Sequence, residues 1–224
     1  MIVAVGGIKG GSGKTTVATN LAILCAAAGQ DVLLVDSDEQ ETASDFTILR
    51  NEQRDGGAGY TCIKLTGRAV RTEILRQVDK YDHIVIDVGG RDTTSQRAAF
   101  SVADVVLVPF VPRSFDVWTL EKVSDLVEEM RSANPDMRAY MFLNRADPRG
   151  HDNDEATDVL KDDEVLTFID TPLGSRKAFS NAASKGLGVT ELRPYDVKAC
   201  DEIMILFRYL FDIKSTSILH QEVS

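Results

Sequence analysis

Residues 9–16 read Lys-Gly-Gly-Ser-Gly-Lys-Thr-Thr, and their types and spacing are those of a loop that binds phosphate. The glycines let the backbone turn until its N–H groups converge on anionic oxygens. A helix that begins near Lys14 presents its positive N-terminal end to the same anion. In such loops the lysine contacts the β- and γ-phosphates, and the next hydroxyl, here that of Thr15, binds Mg²⁺. The predicted contacts are Gly10, Gly11, Ser12, Gly13, Lys14, Thr15 and Thr16.

The general pattern for these loops, G-x-x-x-x-G-K-[ST], is not matched strictly, because Ile8 stands at the first glycine position. The surroundings nevertheless favour a phosphate loop. An apolar run over residues 2–5 precedes it and predicts a strand buried on both faces. An alanine-rich stretch over residues 15–28 follows it and predicts a helix, with Gly29 as its C-cap.

Acidic residues follow two further apolar runs. Asp36 and Asp38 come after the run 32–35, and Asp87 ends the run 83–87. A single aspartate at a strand end often only caps a helix. Ligands of open parallel sheets, however, bind at the carboxyl ends of the strands, so three such acids after a phosphate loop predict a shared site.

Strands and helices are predicted to alternate along the chain. The predicted strands are 2–5, 32–35, 61–65, 83–87, 105–108 (stopped by Pro109), 139–143 and 165–169. The predicted helices are 15–28, 70–79, 94–102, 115–133, 155–160, 178–184 and 197–211, and residues 51–59 read as a surface loop. This alternation predicts an α/β fold in a single domain, with a mostly parallel twisted sheet and helices on both faces. Together with the phosphate loop, it indicates the fold class of a P-loop NTPase.

Composition limits the classes of function. The 224 residues are 43% hydrophobic and 27% charged, as in one globular domain. No apolar run approaches the roughly 18 residues of a membrane span, and no basic N-terminal region suggests a signal peptide. Three scattered cysteines indicate neither a metal site nor a disulfide framework. The net charge of −10 argues against a basic nucleic-acid binder overall, although residues 171–224 carry seven Lys and Arg against six Asp and Glu.

Lys9 ahead of Gly10 and Gly11 resembles the deviant Walker A motif of the ParA/MinD family of P-loop ATPases. The resemblance covers residues 1 to about 212, so we expect one ATPase domain over 1–212 and a flexible tail over 213–224. It implies ATP and Mg²⁺ as cofactors and slow ATP hydrolysis. It also implies a homodimer with two ATP molecules between its subunits, in which Lys9 reaches the ATP of the partner subunit.

The resemblance also assigns roles to the strand-end acids. Residues 36–40 are similar to the D-x-D-P-Q switch I segment of the family, with Glu39 in place of proline. It implies that Asp38 positions the attacking water, and that Asp36 and Asp87 bind Mg²⁺ through water. The expected catalytic residues are thus Lys9, Lys14 and Asp38. Residues 88–90 stand where the family has switch II, so the N–H of Gly89 or Gly90 is expected to face the γ-phosphate.

Three further segments resemble parts of the family. Residues 144–147 are similar to its adenine-reading segment, so Asn144 is expected to hydrogen-bond the base, although an asparagine in a turn is a simpler explanation. Residues 109–118 resemble a segment at the dimer face, with Arg113 where serine is common. Residues 170–189 resemble the closing segment of ParA proteins, with Pro172 as a predicted nucleotide contact.

Because the phosphate loop begins at residue 9, we expect no N-terminal DNA-reading domain, as in small ParA proteins. The resemblance implies an ATP-bound dimer that binds non-specific DNA and is released when a ParB-like adaptor stimulates hydrolysis. The protein would be cytoplasmic, bacterial or archaeal, and nucleoid-associated with ATP. Its cargo would be a plasmid, a chromosome region or a protein organelle. The candidate DNA contacts are Arg176, Lys177, Lys185, Arg193, Lys198 and Arg208.

Other members of this superfamily give the alternatives. A MinD-like, membrane-associated regulator of cell division needs a basic amphipathic helix at the C-terminus. Residues 211–224 have one lysine and little apolar face, so membrane binding is not expected. Iron–sulfur relatives need paired cysteines, and the related tyrosine kinases have a tyrosine-rich tail, and this sequence has neither.

Overall fold

A computed structural model describes residues 1–112, 117–147 and 152–211. Helices and strands alternate through these residues. The strands are β1 (Ile2–Val5), β2 (Val32–Ser37), β3 (Thr61–Lys64), β4 (His83–Val88), β5 (Val105–Phe110), β6 (Arg138–Ala146), β7 (Thr167–Phe168) and β8 (Leu173–Gly174). The helices are α1 (Lys14–Ala27), α2 (Thr42–Gln53), α3 (Ala69–Gln77), α4 (Thr94–Phe100), α5 (Val117–Arg131), α6 (Asp152–Lys161), α7 (Lys177–Ala183) and α8 (Val197–Phe211).

The strands form one sheet in the order β3-β2-β4-β1-β5-β6-β7, and β8 pairs with the end of β6. Every pair is parallel, so the carboxyl ends of the strands lie along one edge. β1 lies at the centre, between β4 and β5. Asp36 of β2 and Asp87 of β4 are register partners, so the sheet places the two predicted acids side by side.

Two hydrophobic clusters cover the two faces of the sheet, and β1 contributes alternate residues to each. Val3 and Val5 face α1, α7 and α8, whereas Ile2 and Ala4 face the side of α3 to α6. Because both faces are covered, the central strands are apolar at nearly every position, which is why they read as continuous runs in the sequence. The predicted fold class is confirmed.

Three local features differ from the sequence predictions. α2 was not predicted, and its buried side is interrupted by a buried arginine, Arg50, so it lacks a plain apolar stripe. β8 was not predicted either. Pro109 does not stop β5, which continues to Phe110. The Leu107 carbonyl accepts a hydrogen bond from the Gly6 N–H, so the backbone groups of residues 107 and 109 both face β1. The last pair between β1 and β5 is Val5 with Leu107. Pro109 lies beyond that pair, so its missing N–H removes no hydrogen bond from the sheet.

Arg113, which stands where serine is common in the family, and the flexible tail predicted over 213–224 lie outside the described residues. Among the residues that the structure describes, no helix is long and apolar enough to cross a membrane.

Candidate nucleotide-binding site

The loop between β1 and α1 opens into a cavity of about 560 Å³ at the carboxyl edge of the sheet. Gly11 and Gly13 have φ angles of +76° and +88°, which side chains with a Cβ rarely adopt. The cavity is lined by residues of the loop and of the segments after β2 and β4: Gly10, Gly11, Gly13, Lys14, Thr15, Thr16, Ser37, Asp38, Glu39, Gln40, Thr42, Gly89, Gly90, Arg91, Thr93, Ser95 and Arg145. The sheet thus brings together predicted contacts that lie up to about 80 positions apart in the sequence.

Lys14 lies within the loop with only 6% of its surface exposed. Its Nζ donates a hydrogen bond to the Lys9 carbonyl oxygen at 2.9 Å, so the ammonium group closes the loop on itself. Burial lowers the pKa of Lys14, whereas the charges of Asp87 and Asp38 raise it. A phosphate in the cavity would supply further negative charge to a buried cation, which favours anion binding at this position.

Asp87 is fully buried behind the loop. Burial raises the pKa of its carboxyl to about 7, and the Thr15 side chain opposes that rise. Neither carboxylate oxygen has a hydrogen-bond partner of good geometry among the described residues. An unpartnered carboxylate beside a threonine hydroxyl fits a hydrated Mg²⁺ ion. In the described part of the chain no group of three or more His, Cys, Asp or Glu is placed to hold a metal ion.

Asp36 is also fully buried, but its oxygens are occupied. One accepts from the Asp38 N–H at 3.2 Å and the other from the Ser44 N–H at 2.7 Å. Neither Asp36 nor Asp87 lines the cavity, so the two acids differ in their hydrogen bonds and not in their access to it. This geometry favours a role in holding the segment after β2 and the start of α2, rather than the predicted water-mediated contact with Mg²⁺.

Asp38 faces the segment after β4 across the cavity. A Cβ added to Gly89 would lie 3.3 Å from Asp38 Oδ1. A Cβ added to Gly90 would lie 2.9 Å from both the nitrogen and the Cα of Gly10. The predicted switch II segment therefore touches the backbone of the phosphate loop, and no larger residue fits at position 90 without displacing one of them.

A second cavity, of about 490 Å³, begins on the other side of Gly13 and Thr16. Asn144 and Arg145 line it from the end of β6, and Phe179 lines it from α7. Arg145 lines both cavities and has a φ angle of +55°, at a register irregularity between β6 and β8. The irregularity re-aims its side chain to the junction of the two cavities.

Some predicted site residues lie elsewhere. Lys9 and Ser12 do not line the phosphate cavity of their own chain. Pro172 is exposed and lines neither cavity, although Leu173 lines the second one. Arg176 also lines the second cavity and forms an ion pair with Glu202 at 2.6 Å, so it is a poor candidate for the predicted DNA contact.

Sequence reasoning missed several lining residues. Arg91, Thr93 and Ser95 line the phosphate cavity from the segment after β4. The sequence could have indicated them, because they follow Asp87 and the pair Gly89 and Gly90 at the end of a strand. Phe179 gave no signal of its own, because an apolar residue in a helix normally indicates core.

Four of the six predicted DNA contacts surround one open groove of about 660 Å³ between α7 and the start of α8. We call it the basic groove and define it by Lys177, Lys185, Arg193 and Lys198, all of them exposed. The Arg193 guanidinium lies 3.4 Å from the centre of the Tyr195 ring, and Asp196 is the one acidic residue among the described groove residues. Arg208 does not line it.

The family model described as the CobQ/CobB/MinD/ParA nucleotide binding domain matches residues 3–189, which include the loop, the acids, the phosphate cavity and every residue that lines the second cavity except Ile203. The chain belongs to this family. It is a P-loop ATPase of the ParA/MinD type, and its similarity extends beyond the phosphate loop.

Two curated relatives in the ParA/MinD family are each named maintenance of carboxysome distribution protein A. The protein of Halothiobacillus neapolitanus is 25% identical over 89% of this chain and 91% of its own length. That of Gloeobacter kilaueensis is 32% identical over 86% and 85%, respectively. The fold is similar to that of an ATP complex of Cyanothece McdA, with a TM-score of 0.77 and 17% identity over 95% of this chain and 96% of that chain.

Proposed function

We propose that this protein is an ATP-driven positioning ATPase that binds non-specific DNA as an ATP-dependent homodimer and releases it after hydrolysis. The observation that carries the proposal is the basic groove. It gathers four cations around one opening in a chain whose net charge is −10. Such contacts bind phosphates without reading sequence.

At the ATP site each residue has one task. Lys14 neutralises charge on the β- and γ-phosphates, and the Thr15 hydroxyl, together with Asp87 through water, would hold Mg²⁺. The ion would neutralise phosphate charge as it develops. Asp38 orients the attacking water opposite the backbone of Gly89. Hydrolysis by this arrangement depends on positioning and electrostatics rather than on a strong base.

Lys9 acts in the dimer. In its own chain it does not line the phosphate cavity, and its carbonyl holds Lys14. A cation that completes the site of a partner subunit would make dimerisation depend on ATP, because the bound phosphates supply the opposite charge. Dimerisation then doubles the number of basic grooves that one DNA molecule can contact.

The names of the relatives favour a protein organelle as the cargo, ahead of a plasmid or a chromosome region. Cargo choice would lie in an adaptor that stimulates hydrolysis and thereby ends the DNA-bound state. The protein would then be cytoplasmic and nucleoid-associated while it holds ATP.

The test is binding to non-specific duplex DNA with ATP, with ADP and without nucleotide, over a range of salt concentrations. We expect binding with ATP only, and log K should fall linearly with log[salt]. Replacing the four basic-groove residues by glutamine should abolish binding, and single replacements should each reduce the salt slope by roughly 0.9 per lost phosphate contact.

The matched control removes four exposed cations from α3 and its flanks, namely Arg68, Arg71, Arg76 and Lys80. It changes the net charge by the same amount, so it should retain DNA binding if the groove is the site. An equal loss of DNA binding in both variants would show only a general effect of net charge and would refute the basic groove as the DNA-binding site. Binding to anionic vesicles in place of DNA would instead support the MinD-like alternative.

A further inference from the structure

The Asn144 side chain is bonded to the backbone at both ends of its amide. Its Nδ2 donates to the Ser12 carbonyl oxygen at 2.7 Å, and its Oδ1 accepts from the Arg145 N–H at 3.0 Å. Asn144 is 6% exposed, and Ser12 is equally buried. The end of β6 is therefore hydrogen-bonded to the middle of the phosphate loop, 132 positions away in the chain.

This hydrogen bond determines the orientation of the Ser12–Gly13 peptide group. Because the peptide group is planar and trans, the Ser12 carbonyl and the Gly13 N–H point in opposite directions. With the carbonyl bound to Asn144, the N–H of Gly13 is directed away from Asn144. Gly13 lines both cavities whereas Asn144 lines only the second, so an N–H directed away from Asn144 would be available to a phosphate in the first.

The packing at this contact leaves no room for a side chain at position 13. A Cβ on Gly13 would lie 2.4 Å from Asn144 Nδ2, and the φ angle of +88° would strain any residue with a side chain. Position 13 therefore requires glycine while Asn144 holds this contact. An amide nitrogen carries two hydrogens, so the second one stays available to a base.

We propose that Asn144 is a positioning residue for phosphate binding. It sets the orientation of the Ser12–Gly13 peptide before nucleotide arrives, and it does so whether or not it also contacts the base. The proposal requires nucleotide binding at this loop and is independent of DNA binding.

The test compares Asn144→Ala with the wild-type protein by calorimetric titration of Mg-ATP and of Mg-tripolyphosphate, which has no base. We expect both affinities to fall roughly three- to tenfold, the effect of one hydrogen bond. If ATP binding weakens while tripolyphosphate binding is unchanged, Asn144 is a base contact only and the proposal is wrong. Unchanged affinity for both ligands also overturns it.

The matched control is Asn134→Ala. Asn134 Nδ2 donates to the carbonyls of Phe100 and Ala103 at 3.0 and 2.8 Å, far from the loop, so the variant loses similar backbone contacts. It should lower the melting temperature and leave tripolyphosphate affinity unchanged. A comparable loss of affinity in this control would indicate general loosening and refute the positioning role. If Asn144→Ala does not fold, the polar Asn144→Ser, too short to reach Ser12, replaces it with the same expectation.

Discussion

Glu191 holds a buried arginine, and replacing it by glutamine should be costly. Arg50 of α2 is only 3% exposed. Its Nη1 and Nη2 donate to Glu191 Oε2 and Oε1 at 2.7 and 2.8 Å. Oε1 also accepts from Arg54, and Oε2 from the Gly188 N–H. In either orientation a glutamine would turn its NH₂ group toward donors, and the guanidinium would lose its counter-charge.

We therefore expect Glu191→Gln to lower the free energy of unfolding by about 3 kcal/mol at pH 7, as for a broken buried ion pair. For a chain of this length this corresponds to a fall of roughly 6–12 °C in melting temperature. The control is Arg54→Ala, which removes a partner that is 43% exposed and should cost less than about 1 kcal/mol. Melting curves followed by circular dichroism measure both variants.

The pH dependence of this difference tests its electrostatic origin. Burial alone would raise the pKa of Glu191, but the hydrogen bonds and charge of Arg50 outweigh it, and the pKa is lowered. A lowered pKa in the folded state adds stability above the ordinary glutamate pKa, about 4.3, and that stability is lost as the pH falls through the folded value. The difference in the free energy of unfolding between wild type and variant should be fully present at pH 7 and should shrink below about pH 4.3. A gap below 1 kcal/mol at pH 7, or one that does not change with pH, would refute the reasoning.

The remaining predictions concern the ATP site. Lys14→Ala should abolish nucleotide binding in a fluorescent-nucleotide titration, and retained affinity would contradict the phosphate-loop assignment. Asp38→Ala should bind ATP but hydrolyse it at least tenfold more slowly, leaving a dimer on size-exclusion chromatography; normal turnover would remove Asp38 from the mechanism. Gly90→Ala should lower ATPase activity at least tenfold, because its Cβ would lie 2.9 Å from the Gly10 backbone, whereas Gly56→Ala, with open space at its Cβ, should not.

Much of the fold could be read from the sequence because the sheet is covered on both faces. Its central strands are apolar at nearly every position, and the glycine loop between β1 and α1 has a chemistry of its own. Val197–Phe211, for example, matches the predicted helix at both ends. α2 was missed because its buried face includes Arg50, whose partners Gly186 and Glu191 lie 136 and 141 positions away in the chain, although a third, Ala58, is local.

The sequence by itself determined that this protein binds phosphate and which acids follow its strands, since those properties depend on local residue types and spacing. Tertiary structure decided the surroundings of each acid. Asp36 and Asp87 are equivalent in sequence and adjacent in register, yet Asp36 bonds two backbone N–H groups while the Asp87 carboxylate has no such partner. The tertiary structure also brings Asn144 to the phosphate loop and places the residues of the basic groove, from α7, α8 and the segment between them, around one opening. Contacts between distant segments depend on the packing of the whole sheet, and local sequence does not contain them.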